Sequence, residues 1–80
     1  MKTITAVAKR LAYFLEQKHM TQYMLCKRVA IDPSNIYNIM YERCKTITLD
    51  KLFLLAEGLG ISVIDFLNDP LFERLNLEID

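Results

Sequence analysis

Residues Thr21–Tyr41, TQYMLCKRVAIDPSNIYNIMY, constrain the fold more than any other stretch, because they read as two short helices joined by a tight turn. The first half offers Leu25, Cys26 and Val29 as one apolar face, and the second offers Ile36, Ile39 and Met40 as another. Asp32 and Pro33 mark where the second helix starts. An Asp carboxylate accepts the orphan amide hydrogens of a first turn, and Pro fits the first helical position, where its missing donor costs nothing. Val29-Ala30-Ile31 makes the turn, with Ile31 expected in the core to set the angle between the two helices.

The outward side of the second of these helices is the candidate functional surface. Advancing about 100° per residue from Ile36 places Ser34, Asn38 and Tyr41 near the opposite face, with Asn35 and Tyr37 on its flanks. That face carries no charge. Asn forms a bidentate hydrogen bond with adenine N6 and N7, and Ser bonds several base edges, so the major groove of double-stranded DNA is the natural partner.

The rest of the chain supplies the support. Eighty residues make one small domain, and 52% hydrophobic residues with only two Gly and two Pro suit a compact helical fold. Apolar residues recur at helical spacing while no alternating run is convincing, so the expected class is all-α. Residues 4–18 form a first helix with Ile4, Val7, Leu11, Phe14 and Leu15 inward and Lys9, Arg10, Glu16, Gln17 and Lys18 solvated. Thr21 caps the next helix, and Gln22 in its first turn can join the free amides in holding a phosphate. Lys27 and Arg28 are read as solvated charges. Thr48 caps a fourth helix whose Leu49, Leu52, Phe53, Leu55, Ala56 and Leu59 make it the central buried one, and Gly60 closes it. Ser62 and Asp65 resemble a capping box for a fifth, with Val63, Phe66 and Leu67 continuing the core. After Pro70, Leu71, Phe72, Leu75, Leu77 and Ile79 are too many large apolar residues for a dangling tail. They either cover a gap on the monomer or meet a second copy, and the second is expected. The division is therefore a domain over 1–68 and an apolar, dimerising extension over 69–80.

Net charge is zero, but it is divided. Residues 1–45 carry eight Lys and Arg against three Asp and Glu, a net +5, and residues 46–80 carry two against seven, a net −5. The positive half holds the paired short helices, and Arg43 and Lys45 in the polar loop after Tyr41 are placed to neutralise phosphates. Lys9 and Arg10 break the N-terminal apolar positions, and no apolar run nears the roughly 20 residues of a membrane span, so a cytoplasmic protein is expected. Cys26, Cys44 and His19 lack the paired spacing of a metal site, and no structural disulfide is expected of the two cysteines. One His, no paired carboxylates and no Gly-rich phosphate loop leave nothing for catalysis, so neither an enzyme, a cofactor nor a small-molecule ligand is expected.

With these residues in place, residues 4–68 resemble the Cro and phage-repressor helix-turn-helix family. The likeness rests on Thr21-Gln22 opening helix two, Leu25-Cys26 at its Leu-Ala positions, Ile31 in the turn, Ile36 and Ile39 inside helix three, and TLDKLFLLAEGLGISVIDFL as the closing helices. It implies a five-helix, lambda-repressor-like domain whose third helix, residues 33–41, enters the major groove. Pro33, Ser34 and Asn38 would take the base-facing positions, and Gln22, Arg43 and Lys45 those near phosphate; Thr21, at the cap beside Gln22, is counted with the DNA-binding candidates. Three departures stand out: Ala30 replaces the usual turn Gly, Tyr41-Glu42-Arg43 replaces a common Asn-Gly-Lys, and Leu15 with Met40 replaces a common Arg–Glu pair.

The function expected is a sequence-specific transcriptional regulator, a repressor acting by occlusion, that binds a palindromic operator as a homodimer. Two copies would set two reading helices about 34 Å apart, one turn of DNA. A protein-interaction module on the same fold, such as an adaptor or antirepressor, is the alternative. Zero net charge, Glu42 in the loop and the apolar tail speak for it.

Overall fold

The computed structural model describes residues 1–79, so of the expected extension Asp80 lies outside the described residues. Five helices follow in order: α1 Thr3–Gln17, α2 Gln22–Val29, α3 Pro33–Met40, α4 Leu49–Leu59 and α5 Val63–Leu67. Two single 3-10 turns close the chain, Pro70–Phe72 and Arg74–Asn76. Among the described residues there is no strand, only an isolated bridge between Lys2 and Glu78. The all-α expectation holds, with α1 beginning and ending one residue earlier than expected and α3 ending at Met40 rather than Tyr41.

The helix starts are set locally by side chains. Thr21 accepts from the Met24 amide at 3.1 Å, Asp32 from Ser34 at 2.9 Å, Thr48 from Lys51 at 3.2 Å and Ser62 from Asp65 at 3.0 Å. The helix ends share a different device. After α1, α3 and α4 the chain turns left-handed at His19 (φ 54°), Glu42 (φ 55°) and Gly60 (φ 75°). Each turn closes with the same two bonds. The long ones run from Met20 N to Leu15 O at 2.8 Å, Arg43 N to Asn38 O at 2.8 Å and Ile61 N to Ala56 O at 3.0 Å. The short ones run from His19 N to Glu16 O, Glu42 N to Ile39 O and Gly60 N to Glu57 O. Ala30 ends α2 with φ 53° and ψ 38°. The turn therefore accepts a Cβ in the left-handed region instead of bending differently.

Every helix contributes to one core: Ile4, Val7, Leu11 and Leu15 from α1, Leu25 and Cys26 from α2, Ile36 and Ile39 from α3, Leu52, Leu55 and Leu59 from α4, and Phe66 from α5. Met40 and Ile31 pack half-buried against it, so the Leu15 and Met40 positions are both apolar and both inward. Helices α2 and α4 approach closely at Gly58, where an added Cβ would stand 2.5 Å from Leu25 Cδ1 and 3.0 Å from Val29 Cγ1.

Four sequence-based expectations are corrected. Leu49 and Phe53 are 64% and 56% exposed rather than core. At about 100° per residue they fall past the edge of the stripe made by Leu52, Leu55, Ala56 and Leu59. Leu67, at the end of the single-turn α5, is exposed as well. Arg10 is not solvated but 9% exposed. Its Nε donates to Phe66 O at 2.7 Å and its Nη2 to Asp65 O at 2.8 Å and Asn68 O at 3.3 Å, while Nη1 lies 3.5 Å from Asp69 Oδ2. It closes the end of α5 from α1, with the guanidinium 4.4 Å from the centre of the Phe14 ring. Arg28, exposed as a whole, is not idle either, because Nη1 donates to Gly58 O at 3.1 Å and joins α2 to α4.

The C-terminal segment lies on the domain. Phe72 packs 6.1 Å from the Phe66 ring, which stacks in turn on Phe14 at 6.0 Å. The N-terminal ammonium donates to Asn76 O at 2.8 Å, and the Glu78 amide donates to Met1 O at 2.7 Å. Leu71, Phe72 and Leu77 are thus half-buried on the monomer, whereas Leu75 is 95% exposed and Ile79 is also uncovered.

Candidate nucleic-acid interface

Helix α3 buries Ile36 and Ile39 and turns its other side out. Pro33 and Ser34 form the exposed tip. Asp32 holds that tip by accepting both the Ser34 amide at 2.9 Å and the Ser34 hydroxyl at 2.8 Å. The amide bond first, then the hydroxyl bond, keep the Asp32 carboxyl below its usual range. Ser34 Oγ therefore keeps its lone pairs outward as an acceptor while its proton is engaged by the cap.

One turn further on, Asn38 is half-buried, and its backbone carbonyl takes the Arg43 amide and the Cys44 thiol. Among the described residues no intramolecular hydrogen bond holds its carboxamide. Tyr37 and Tyr41 stand 46% and 61% exposed with ring centres 4.6 Å apart. Arg43 lays its guanidinium 5.5 Å from the Tyr37 ring centre. Asn35 is turned toward α4, where its Oδ1 accepts from Lys51 Nζ at 3.3 Å.

The loop after α3 resolves the carboxylate that the sequence places beside this surface. Glu42 adopts the left-handed turn, and its carboxylate accepts the Thr5 hydroxyl of α1. Arg43 and Lys45 remain exposed, while Cys44 packs against the core. At the start of α2, Thr21 is exposed and Gln22 half-buried. Thr21 satisfies the Met24 amide, and the amides of Gln22 and Tyr23 have no helical partner, as in any first turn.

The structure thus gathers Pro33, Ser34, Asn38, Tyr37, Tyr41 and Arg43 on or beside one helix, with Asn35 at its α4 side. Two contributors escaped sequence reasoning. Lys51 belongs to the acidic half of the chain but reaches Asn35, and its only sequence signal is its place in the first turn that Thr48 caps. Thr5, which holds Glu42, is 37 residues away from it and has no local signal. Among the described residues no group of three potential metal ligands exists, and both cysteines are free. Among the described residues no helix is long and apolar enough to cross a membrane.

Five helices around one core, with a short capped helix held outward by a tight left-handed turn, define a helix-turn-helix domain of the lambda-repressor-like fold. The profile of the Cro/C1-type HTH DNA-binding domain matches residues 10–70, about three quarters of the chain. The chain belongs to that family and is a DNA-binding transcription regulator. Among curated individual proteins, none matches it.

Proposed function

We propose that the chain is a sequence-specific repressor that binds a palindromic operator as a homodimer, with α3 laid in the major groove. Ser34 and Asn38 read base edges, Pro33 forms the tip, Asn35, Tyr37 and Tyr41 flank them, and Thr21, Gln22, Arg43 and Lys45 contact phosphate. The observation that carries this reading is that α3's uncovered face is lined by uncharged Ser34, Tyr37, Asn38 and Tyr41, while Arg43 and Lys45 stand exposed in the loop that follows it. Residues 1–68 form the reader and 69–80 the dimerising extension, which lies on the domain and whose uncovered Leu75 and Ile79 support self-association. Repression follows from occupancy, since a protein seated on promoter DNA excludes polymerase from it.

Fluorescence anisotropy with duplexes from upstream of its own gene tests this. Binding at low salt is expected to weaken steeply as salt rises. Asn38→Ala should remove roughly 1–3 kcal/mol of discrimination between sequences, whereas Arg43→Ala should weaken all sequences alike and reduce the salt slope by about 1. Absence of binding at low salt, or binding indifferent to Asn38→Ala, would contradict the proposal.

A further inference from the structure

Tyr37 and Tyr41 are the feature of α3 that hydrogen-bond reading leaves unexplained. Two aromatic rings, 46% and 61% exposed, sit one helical turn apart on a face otherwise lined by Ser and Asn. Their centres lie 4.6 Å apart at a 40° tilt, and Arg43 rests 5.5 Å from the centre of the Tyr37 ring. Such contacts restrict both side chains before any ligand arrives, so little rotamer freedom remains to be lost on binding.

We infer that this ring pair reads thymine, each ring packing against a C5 methyl group in the major groove. The inference rests on α3 being the reading helix. Among the major-groove features that distinguish base pairs, the thymine methyl is the apolar one, and the others are hydrogen-bond donors or acceptors. Ring faces have no fork of donors with which to match those patterns, but they gain by covering a methyl. The spacing fits, because 4.6 Å between ring centres spans one to two base steps of roughly 3.4 Å. It does not fit stacking on single-stranded DNA with a base between the rings, which needs about 6.8 Å, twice that spacing. The pair is therefore a methyl-covering surface for a T-rich half-site, with Arg43 positioned by Tyr37 at its edge.

The test starts from a random duplex library, from which the wild-type chain enriches its preferred site. Thymines should appear there at adjacent or next-adjacent positions. Anisotropy then compares that duplex with one in which each such thymine is replaced by uracil, which removes only the methyl. Wild type should bind the uracil duplex about fourfold more weakly per methyl lost. Tyr37→Ala and Tyr41→Ala, both at exposed positions and checked by circular dichroism, should each lose about one fourfold share of that difference, and the double variant should bind the two duplexes equally. Tyr37→Phe should keep the difference. An enriched site without such thymines, a wild-type chain indifferent to uracil, or loss of the difference in Tyr37→Phe would overturn the thymine inference while leaving the DNA-reading helix intact. Failure to enrich any duplex, or displacement of it by equimolar single strand, would overturn both.

Discussion

Arg10 sends its guanidinium from α1 onto the carbonyls that end α5, which gives acceptors at a helix terminus a charged donor. Arg10→Ala leaves those carbonyls without it and should lower the unfolding free energy by about 3 kcal/mol in chemical denaturation. Arg10→Lys should recover only part, because an ammonium cannot reproduce the fork. A loss near zero would show that water serves equally well there. Asp32 makes a pH prediction. Its folded pKa lies below the ordinary 3.8, so its contribution is present above that value and disappears as pH falls through the depressed one. Asp32→Asn, which caps without titrating, should flatten the acid limb of a urea-midpoint profile between about pH 5 and pH 2. The caps were legible in the sequence because each bond spans two or three residues. Arg10 was not, because its partners lie 55–59 residues away and nothing local distinguishes it from Lys9.

At the scale of elements, three of the five helices end by the same pair of backbone bonds, yet only α4 does so with glycine. A left-handed residue with a Cβ is strained, so His19→Gly and Ala30→Gly should each raise the unfolding free energy by up to about 1 kcal/mol. The thermal midpoint checks this, and a fall in both variants would contradict the strain. Gly58 is the opposite case: Gly58→Ala should cost roughly 1–3 kcal/mol, because the new methyl meets Leu25 and Val29 where α2 and α4 touch. Helix number, order and type were legible from apolar spacing and cap residues. The fate of Leu49 and Phe53 was not, since two residues at the edge of an apolar stripe look inward until the neighbouring helices are placed. The turn at Glu42 was legible only through the family resemblance, which sets Glu42 at the Gly of a common Asn-Gly-Lys; its acidic side chain alone reads as a surface charge, whereas its backbone takes the conformation of a glycine.

For the whole molecule, the charge split of the sequence is redistributed by the fold. Arg10 of the basic half is buried against α5, and Lys51 of the acidic half joins the edge of α3. The two chain ends clasp each other through Met1, Asn76 and Glu78, so the extension is part of the domain surface and still presents Leu75 outward. Sedimentation velocity should show a dimer that Leu75→Glu converts to a monomer with unchanged circular dichroism, and a monomeric wild type at all concentrations would refute dimerisation through the tail. The repressor proposal stands or falls on whether the outward side of α3 meets DNA. An amide-resolved NMR titration with the selected duplex examines it most directly. The largest shifts should fall on Gln22, Ser34, Asn38 with its side-chain amide, and Arg43. Shifts confined to the Leu49 and Phe53 side of α4, with α3 unmoved, would contradict it.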